Sequence, residues 1–356
     1  MKKKIIFSLV LILCINSFLC DKLSAQYLDP VINPYLEYYS TNILSSISAG
    51  KGNTSVASSG DVGLISLNPA TLNIDKKYQL YAGYNLKNAT YRMIQNIFSF
   101  SIAAAYKINN NFQTGFAYQN DFSYDHSSQG GGVPEDITDF SFETHSIRLP
   151  IVYNLKWIRL GLNMNFMNLY GTMKGLSGNL WKIIPEVGMI VTPIPEFSFG
   201  LSFYPGFSGD IKYRYNNFPD EKTYYVKFPN RIKTGTEIRL YDNKLKLSFD
   251  YHYANTSIIP GLKDCKNYHI GLDYSFNENW NFRSGFFTFY NLLENQNSFY
   301  TYTWIQINHS DFCYVTLGTT YKYKNYSFNL GIMDNIVHNS QNISYFAINF
   351  GAGYEF

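Results

Sequence analysis

The sequence predicts an all-β protein: a transmembrane antiparallel β-barrel of fourteen strands whose N-terminal segment serves as a plug. Three observations carry this. The 356 residues include 32 Tyr and 28 Phe, yet only 15% are charged, a balance that suits a wall with lipid on one side and water on the other. Beyond the leader no apolar run reaches the ~18 residues a membrane helix needs. The chain instead alternates apolar and polar residues in segments of about ten, the period of a strand with two different faces.

The first residues read as an export signal. Lys2, Lys3 and Lys4 precede the apolar run Ile5 to Leu19, and the small pair Ser24-Ala25 offers a cleavage site, so residues 1–25 are a signal peptide. Lys2, Lys3, Lys4 and Lys22 less Asp21 carry the whole formal charge of +3, which leaves the mature chain close to neutral. Nucleic-acid binding, which needs clustered cations to displace counterions, is therefore excluded. Cys265 and Cys313 remain after cleavage in no metal-ligand spacing, and could form one disulfide. The histidines are scattered, so no metal, cofactor or catalytic set is expected. The glycines of "QGGGVPED" lack the Lys-Ser/Thr of a phosphate loop, and no GxSxG elbow occurs.

The C-terminus gives the cleanest strand. Phe346, Ile348, Phe350, Ala352, Tyr354 and Phe356 alternate with Ala347, Asn349, Gly351, Gly353 and Glu355. The terminal aromatic, Phe356, has the form recognised by the barrel assembly machinery of outer membranes. The same template places strands at 77–86, 97–108, 112–121, 142–155, 158–170, 183–193 and 197–206. Seven more fall at 229–241, 245–255, 267–276, 280–290, 312–323, 326–334 and 344–356. A hairpin within 207–228 would raise the number to sixteen.

The links between these strands alternate in length. Short ones occur at Asn109-Asn110-Asn111, Lys156-Trp157, Thr192 to Glu196, Asp242-Asn243-Lys244, Asn277-Glu278-Asn279 and Lys324-Asn325, with long ones between them. Short turns on the periplasmic side and long loops outside are the habit of bacterial barrels, and Trp157 and Trp280 at two of the turns suit the membrane interface. Gly115, in the third strand, marks either a kink or ordinary curvature. Residues 77–356 are thus the barrel, and residues 26–76 precede it.

A barrel of this size leaves an interior to be filled, and the segment "GKGNTSVASSGDVGLISLNPATL" from Gly50 to Leu72 is available to fill it, or is a plain loop before the first strand. Its glycines permit close approach to a wall, and Asn68-Pro69 sets a rigid turn outside any ladder. This pattern resembles the N-terminal hatch motif of the FadL/TodX family of outer-membrane transporters. "VTPIPEFSFGLSFYPGFSGDIKYRY", "FPNRIKTGTEIRLYDNKLKLSFDYHY" and "YHIGLDYSFNENWNFRSGFF" are similar to further motifs of that family. Lys51 and Thr71 depart from it. The resemblance implies a hatch whose Asn68, Pro69 and Ala70 lie by a gap in the wall, and passive uptake of hydrophobic compounds such as long-chain fatty acids, which leave sideways into the membrane. It also admits an alternative, because the PorV-type components of type IX secretion systems resemble the same fold and bind protein partners.

Within the barrel, Arg231, Lys233, Glu237 and Arg239 share one face of a strand if Ile232, Ile238 and Leu240 face lipid. Asp250, His252, His269, Asp273 and Arg283 lie on neighbouring strands. They are read either as a salt-bridged lining or, more sharply, as a site where Lys233, Arg239 or Arg283 receives a ligand carboxylate.

Overall fold

Lipid outside and water inside impose the period of two, and the wall that results is closed. In a computed structural model, which describes residues 45–90, 97–127, 139–173, 176–215, 221–258, 263–289, 312–337 and 344–356, sixteen strands form one antiparallel sheet. They are β1 (Tyr78–Thr90), β2 (Ile97–Lys107), β3 (Phe112–Ser127), β4 (Asp139–Asn154), β5 (Ile158–Met173), β6 (Leu176–Ile194), β7 (Phe197–Tyr204), β8 (Phe207–Tyr215) and β9 (Glu221–Phe228). The second half adds β10 (Arg231–Leu240), β11 (Leu245–Ala254), β12 (Cys265–Ser275), β13 (Trp280–Phe289), β14 (Phe312–Tyr323), β15 (Tyr326–Val337) and β16 (Ser344–Glu355). Residues 1–44, among them the expected signal peptide, and the "QGGGVPED" run lie outside the described residues.

Fourteen of these strands are the staves. Each pairs with its neighbours in sequence, β7 pairs with β10, and β1 pairs with β16 to close the ring. The even number brings both ends of the wall to the turn side, where Tyr78 and Phe356 exchange two backbone hydrogen bonds (2.9 and 3.1 Å) and stack their rings. The hairpin expected as an alternative within 207–228 exists as β8 and β9, but it does not add two staves. It branches from the wall, pairing with β6 only at Leu176 and Ser177. The first half of β6 is missing from the sequence-based strand 183–193, because Ser177 and Asn179 put polar residues on the outward face there and Leu180 an apolar one on the inward face.

The outward positions form the lipid belt. Trp181, Ile183, Val187, Phe199, Phe203, Ile232, Ile238, Phe249, Ile270, Phe282, Phe328 and Phe350 are exposed, while their sequence neighbours face inward. Among the described residues no helix is long and apolar enough to cross a membrane. The β3–β4 ladder skips Gly115 and Phe116, opposite Leu149 and Pro150. Proline has no N–H to donate, so the interruption lies where β4 has least to offer.

Inside the wall lies the segment that begins at Ser45. It contains helix α1 (Ser46–Gly50), a 3-10 turn at Val62–Ser66 and another at Pro69–Thr71. Each start is capped by the expected chemistry: the Ser45 hydroxyl accepts from Ile47 N, Asp61 from Gly63 N, and Asn68 from Ala70 N. The segment makes one lap of the interior. Ser46 meets β16 and β15, Gly50 meets β14, Gly52 meets β13, Val56 meets β7 and β10, Asn68 meets β6 and Ala70 meets β5.

The wall yields room for this lap by presenting glycine. Gly161 pairs with Gly188, Gly200 with Gly235, Gly271 with Gly285, Gly318 with Gly331, and Gly351 with Gly83. Along β13–β14 and β15–β16 the belt steps by two residues, since Arg283 rather than Gly285 lies opposite Gly318, and Asn329 rather than Gly331 opposite Gly351. That is the stagger a tilted, sheared barrel produces. A Cβ on Gly318 would come 2.8 Å from Gly50 Cα, and one on Gly285 would come 2.5 Å from the Lys51 carbonyl carbon. Both obstacles are backbone, so neither can swing aside. On the β1–β4 side the segment packs Val62, Ile65, Leu72 and Ile74 against Tyr81, Ala103, Ala105, Ala117 and Val152.

Gly285→Val and Gly318→Val are expected to destabilise the plugged barrel by roughly 1–3 kcal/mol each through overpacking. Semi-native electrophoresis, in which a folded barrel migrates ahead of its heat-unfolded form, checks this. Gly353→Ala, which meets only the mobile Ser327 hydroxyl at short range, is expected to run as wild type.

Candidate functional site

A backbone laid inside a barrel cannot use the ladder, so the wall's inward side chains must satisfy it. Asp250 Oδ2 accepts from Ser55 N (2.8 Å) and Val56 N (3.0 Å). Thr316 Oγ1 accepts from Gly52 N (2.7 Å), and His269 Nδ1 donates to Gly52 O (2.9 Å). Gln79 accepts from Val62 N and donates to Gly60 O, and Gln113 accepts from Ile74 N. Arg159 donates to Ala70 O (3.1 Å), and Lys233 to Ser66 O (2.9 Å). These clamps come from seven staves, β1, β3, β5, β10, β11, β12 and β14, so the segment is held all round.

One clamp is ionic. Lys51, 2% exposed, sits 3.5 Å from Glu237 and donates to the Ser58 hydroxyl at 2.9 Å; Ser58 in turn donates to Glu237. Arg239 completes the group at 3.0 Å from the same carboxylate. Lys51, which departs from the resembled motif, therefore has a partner, a buried carboxylate on β10. Asp61 is the segment's own buried acid. Burial raises its carboxyl above the usual range, against the pull of the Gly63 N–H and the Ser45 hydroxyl.

Asn68, Pro69 and Ala70 rest on the Gly161–Gly188 pair. Asn68 Nδ2 donates to Val56 O (2.8 Å) and Met189 O (3.2 Å), so this one side chain ties two parts of the segment to β6. On the loop side of the segment a small pocket of about 50 Å³, partly open to solvent, is floored by Asn53, Ser66 and Leu67. Its walls include Arg148, Glu186, Tyr204, Arg231, Lys233, His252 and Asn267. Arg231 lies over the Tyr204 ring, 3.8 Å from its centre. Glu186 accepts from Asn163 and Ser202. With three cations and one carboxylate, the pocket favours an anionic group.

The three cations singled out from the sequence are not brought together. Lys233 lines the pocket. Arg239 is on the turn side, bonded to Glu237, Pro195 O and Ser198, and Arg283 is fixed between Asp273 (2.8 Å) and Thr320 (2.7 Å). Arg148, Glu186 and Tyr204 escaped the sequence reading, although Arg148 stands between Ile147 and Leu149, where the alternation aims it inward. Cys265 and Cys313 do not form a disulfide with each other. Among the described residues no group of three or more metal-ligating side chains forms.

Fold and interior together define a plugged outer-membrane-type barrel with a polar pocket on its loop side. No family model matches the chain, and no curated protein matches it in sequence. Solved structures do share its fold. The CymD monoaromatic hydrocarbon channel is 14% identical over 88% of this chain and 97% of its own, with a TM-score of 0.67. A Pseudomonas aeruginosa FadL homologue is 13% identical over 93% and 100%, with a TM-score of 0.69, and the Pseudomonas putida toluene transporter TodX is 13% identical over 89% and 98%, with a TM-score of 0.63.

Lys51→Ala is expected to loosen the segment by about 1–3 kcal/mol, less than a typical broken buried pair because Arg239 still faces Glu237. Limited proteolysis of the solubilised barrel reads this as faster cleavage within residues 45–76. A raised carboxyl on Asp61 gives a signed pH dependence. The folded state holds the proton longer than the unfolded chain, so its stabilising contribution is complete in acid and is lost as the pH climbs above the ordinary carboxylate value. Asp61→Asn is expected to flatten that part of the stability–pH profile measured by thermal melting.

Proposed function

We propose that the protein takes up hydrophobic compounds across the outer membrane by passive diffusion, with residues 26–76 as the hatch and Asn68, Pro69 and Ala70 as its gate. Residues 1–25 act as a cleaved signal peptide, and Phe356 is read by the barrel assembly machinery. The observation that carries the reading is the pocket on the loop side, closed below by a segment that fills the barrel. The named channels of the same fold move hydrocarbons or toluene, which supports the class of cargo.

The cationic walls of the pocket support a cargo with an acidic head, a long-chain fatty acid being the simplest. Lys233 then takes the carboxylate by a charge-assisted bond, flanked by Arg148 and Arg231. Arg239 and Arg283 hold wall carboxylates below the hatch.

Cells that depend on the protein for growth on oleate are the test. Lys233→Ala is expected to reduce oleate uptake about tenfold, in line with a charge-assisted bond of ~1.5–3 kcal/mol, while uptake of uncharged toluene stays within twofold. Equal loss for both would place Lys233 in hatch support alone. Co-purification of secretion-machinery subunits with no uptake of either compound would favour the PorV-type role.

A further inference from the structure

On the loop side of the Gly83–Gly351 pair the inner wall turns polar without being charged. Alternation aims Asn85 inward between Tyr84 and Leu86, and the register sets it opposite Asn349 of β16 on one edge and Ser99 of β2 on the other. All three are buried. Together with Ser46, Ser101 and Gln119 they line a partly open niche of about 10 Å³. That is roughly the room one water-sized group needs.

The amides of the niche lack protein partners. Asn85 is 4% exposed, yet neither its Oδ1 nor its Nδ2 meets a hydrogen-bonding group among the described residues, and the same is true of Nδ2 of Asn349, 2% exposed. Asn163 and Asn165, which also lack a partner at Oδ1, still donate through Nδ2 to Glu186 and Tyr204. Among the described residues Asn85 is the one buried amide with both atoms unpartnered. A group buried in this way carries its full desolvation cost unless something that enters the niche bonds it.

The inventory of donors and acceptors selects the guest. Asn85 Nδ2 and Asn349 Nδ2 offer protons and Asn85 Oδ1 takes one, which is the complement of a hydroxyl. A carboxylate or a carbonyl would leave Oδ1 unmet, and an ammonium would leave both Nδ2 groups unmet. None of the described residues that line the niche is charged. The niche also adjoins the cationic pocket, because Gln119 lines the niche and its Oε1 accepts from Nη1 of Arg148 (2.9 Å), which lines the pocket. An acid group held at Arg148 therefore lies one side chain away, so a hydroxyl that reaches Asn85 is carried near the acid head and not at the tail.

We propose that the niche is a second ligand subsite and that the cargo is a hydroxylated amphiphilic acid, its carboxylate in the pocket and a nearby hydroxyl between Asn85 and Asn349. The subsite rests on the uptake function proposed above and narrows its substrate class. A hydroxyl that enters exchanges its bonds to water for bonds to the amides, whereas an alkyl chain laid over the niche cannot serve them.

Two probes that differ by a single hydroxyl, myristate and β-hydroxymyristate, test this by displacing radiolabelled oleate from the purified barrel in detergent. The hydroxy acid is expected to compete about five- to tenfold better, as one added hydrogen bond allows. Asn85→Leu combined with Asn349→Leu is expected to abolish that preference while the affinity for myristate stays within twofold. Leucine is close to asparagine in shape and removes groups that have no partner, so the variant is expected to fold, with heat-modifiable mobility as the check. Should it not fold, the two enantiomers of β-hydroxymyristate are compared on the wild type, where a built subsite separates them and equal competition overturns it. Equal competition by myristate and its hydroxy derivative in the wild type overturns the subsite while leaving transport intact, and so does a preference that survives the double substitution. If the wild type binds neither acid and gives cells no uptake of either, the transport reading fails and the subsite with it.

Discussion

The structure depends on a backbone pressed flat against the inside of a sheet. A ladder cannot be built in that direction, because the wall's own N–H and C=O groups are already committed to neighbouring staves. Two provisions make the contact tolerable. Glycine at five cross-strand pairs removes the side chains that would hold the segment off, and Asp250, Thr316, His269, Gln79, Gln113, Arg159 and Lys233 reach the segment's polar groups. Neither provision suffices alone. Close approach without partners would bury unsatisfied amides, and partners without glycine would bond a segment too far from the wall to seal it.

The interior is chemically two-sided as a result. Toward β1–β4 the segment buries Val62, Ile65, Leu72 and Ile74 against small alanines, whereas toward β10–β14 it meets charge: Lys51 with Glu237 and Arg239, and nearby Arg283 with Asp273. Apolar packing is forgiving of small slides, but buried ion pairs fix a position, since separating them leaves a charge without a partner. The charged side therefore acts as the fixed edge of the segment and the apolar side as the one that can yield. The pocket lies above the join, lined by Arg148, Arg231 and Lys233.

The staves were legible in the sequence because the lipid face imposes a strict alternation. Phe346 to Phe356 is the plainest example, and fourteen of fourteen expected segments coincide with staves. The branch at β8 was legible only as an alternative, since a hairpin that leaves the wall has the same period as one that joins it. The glycine belt was not legible at all. A single glycine in a strand signifies little, and only the register shows that Gly271 stands beside Gly285 and Gly318 beside Gly331. The same holds for the pocket: Arg148 and Glu186 come from β4 and β6, and the face of each can be read from its strand, but their meeting above Ser66 depends on barrel diameter and shear, which no local pattern encodes.

A lap of chain that touches β16 at one end and β5 at the other, and that passes β1 on the way out, has a consequence for how the molecule is made. Tyr81 of the first stave accepts from Ser46 N, and Gly351 of the last stave is covered by Ser46 as well, so the start of the lap straddles the line where the ring is sewn shut. A cord wound inside a hoop in this way is set in place while the hoop is still open, or else drawn in through one mouth before its groove is lined. In this protein the contacts that seat the segment's start and those that close the ring thus meet on the same two staves, so the seal and the closure of the wall support each other.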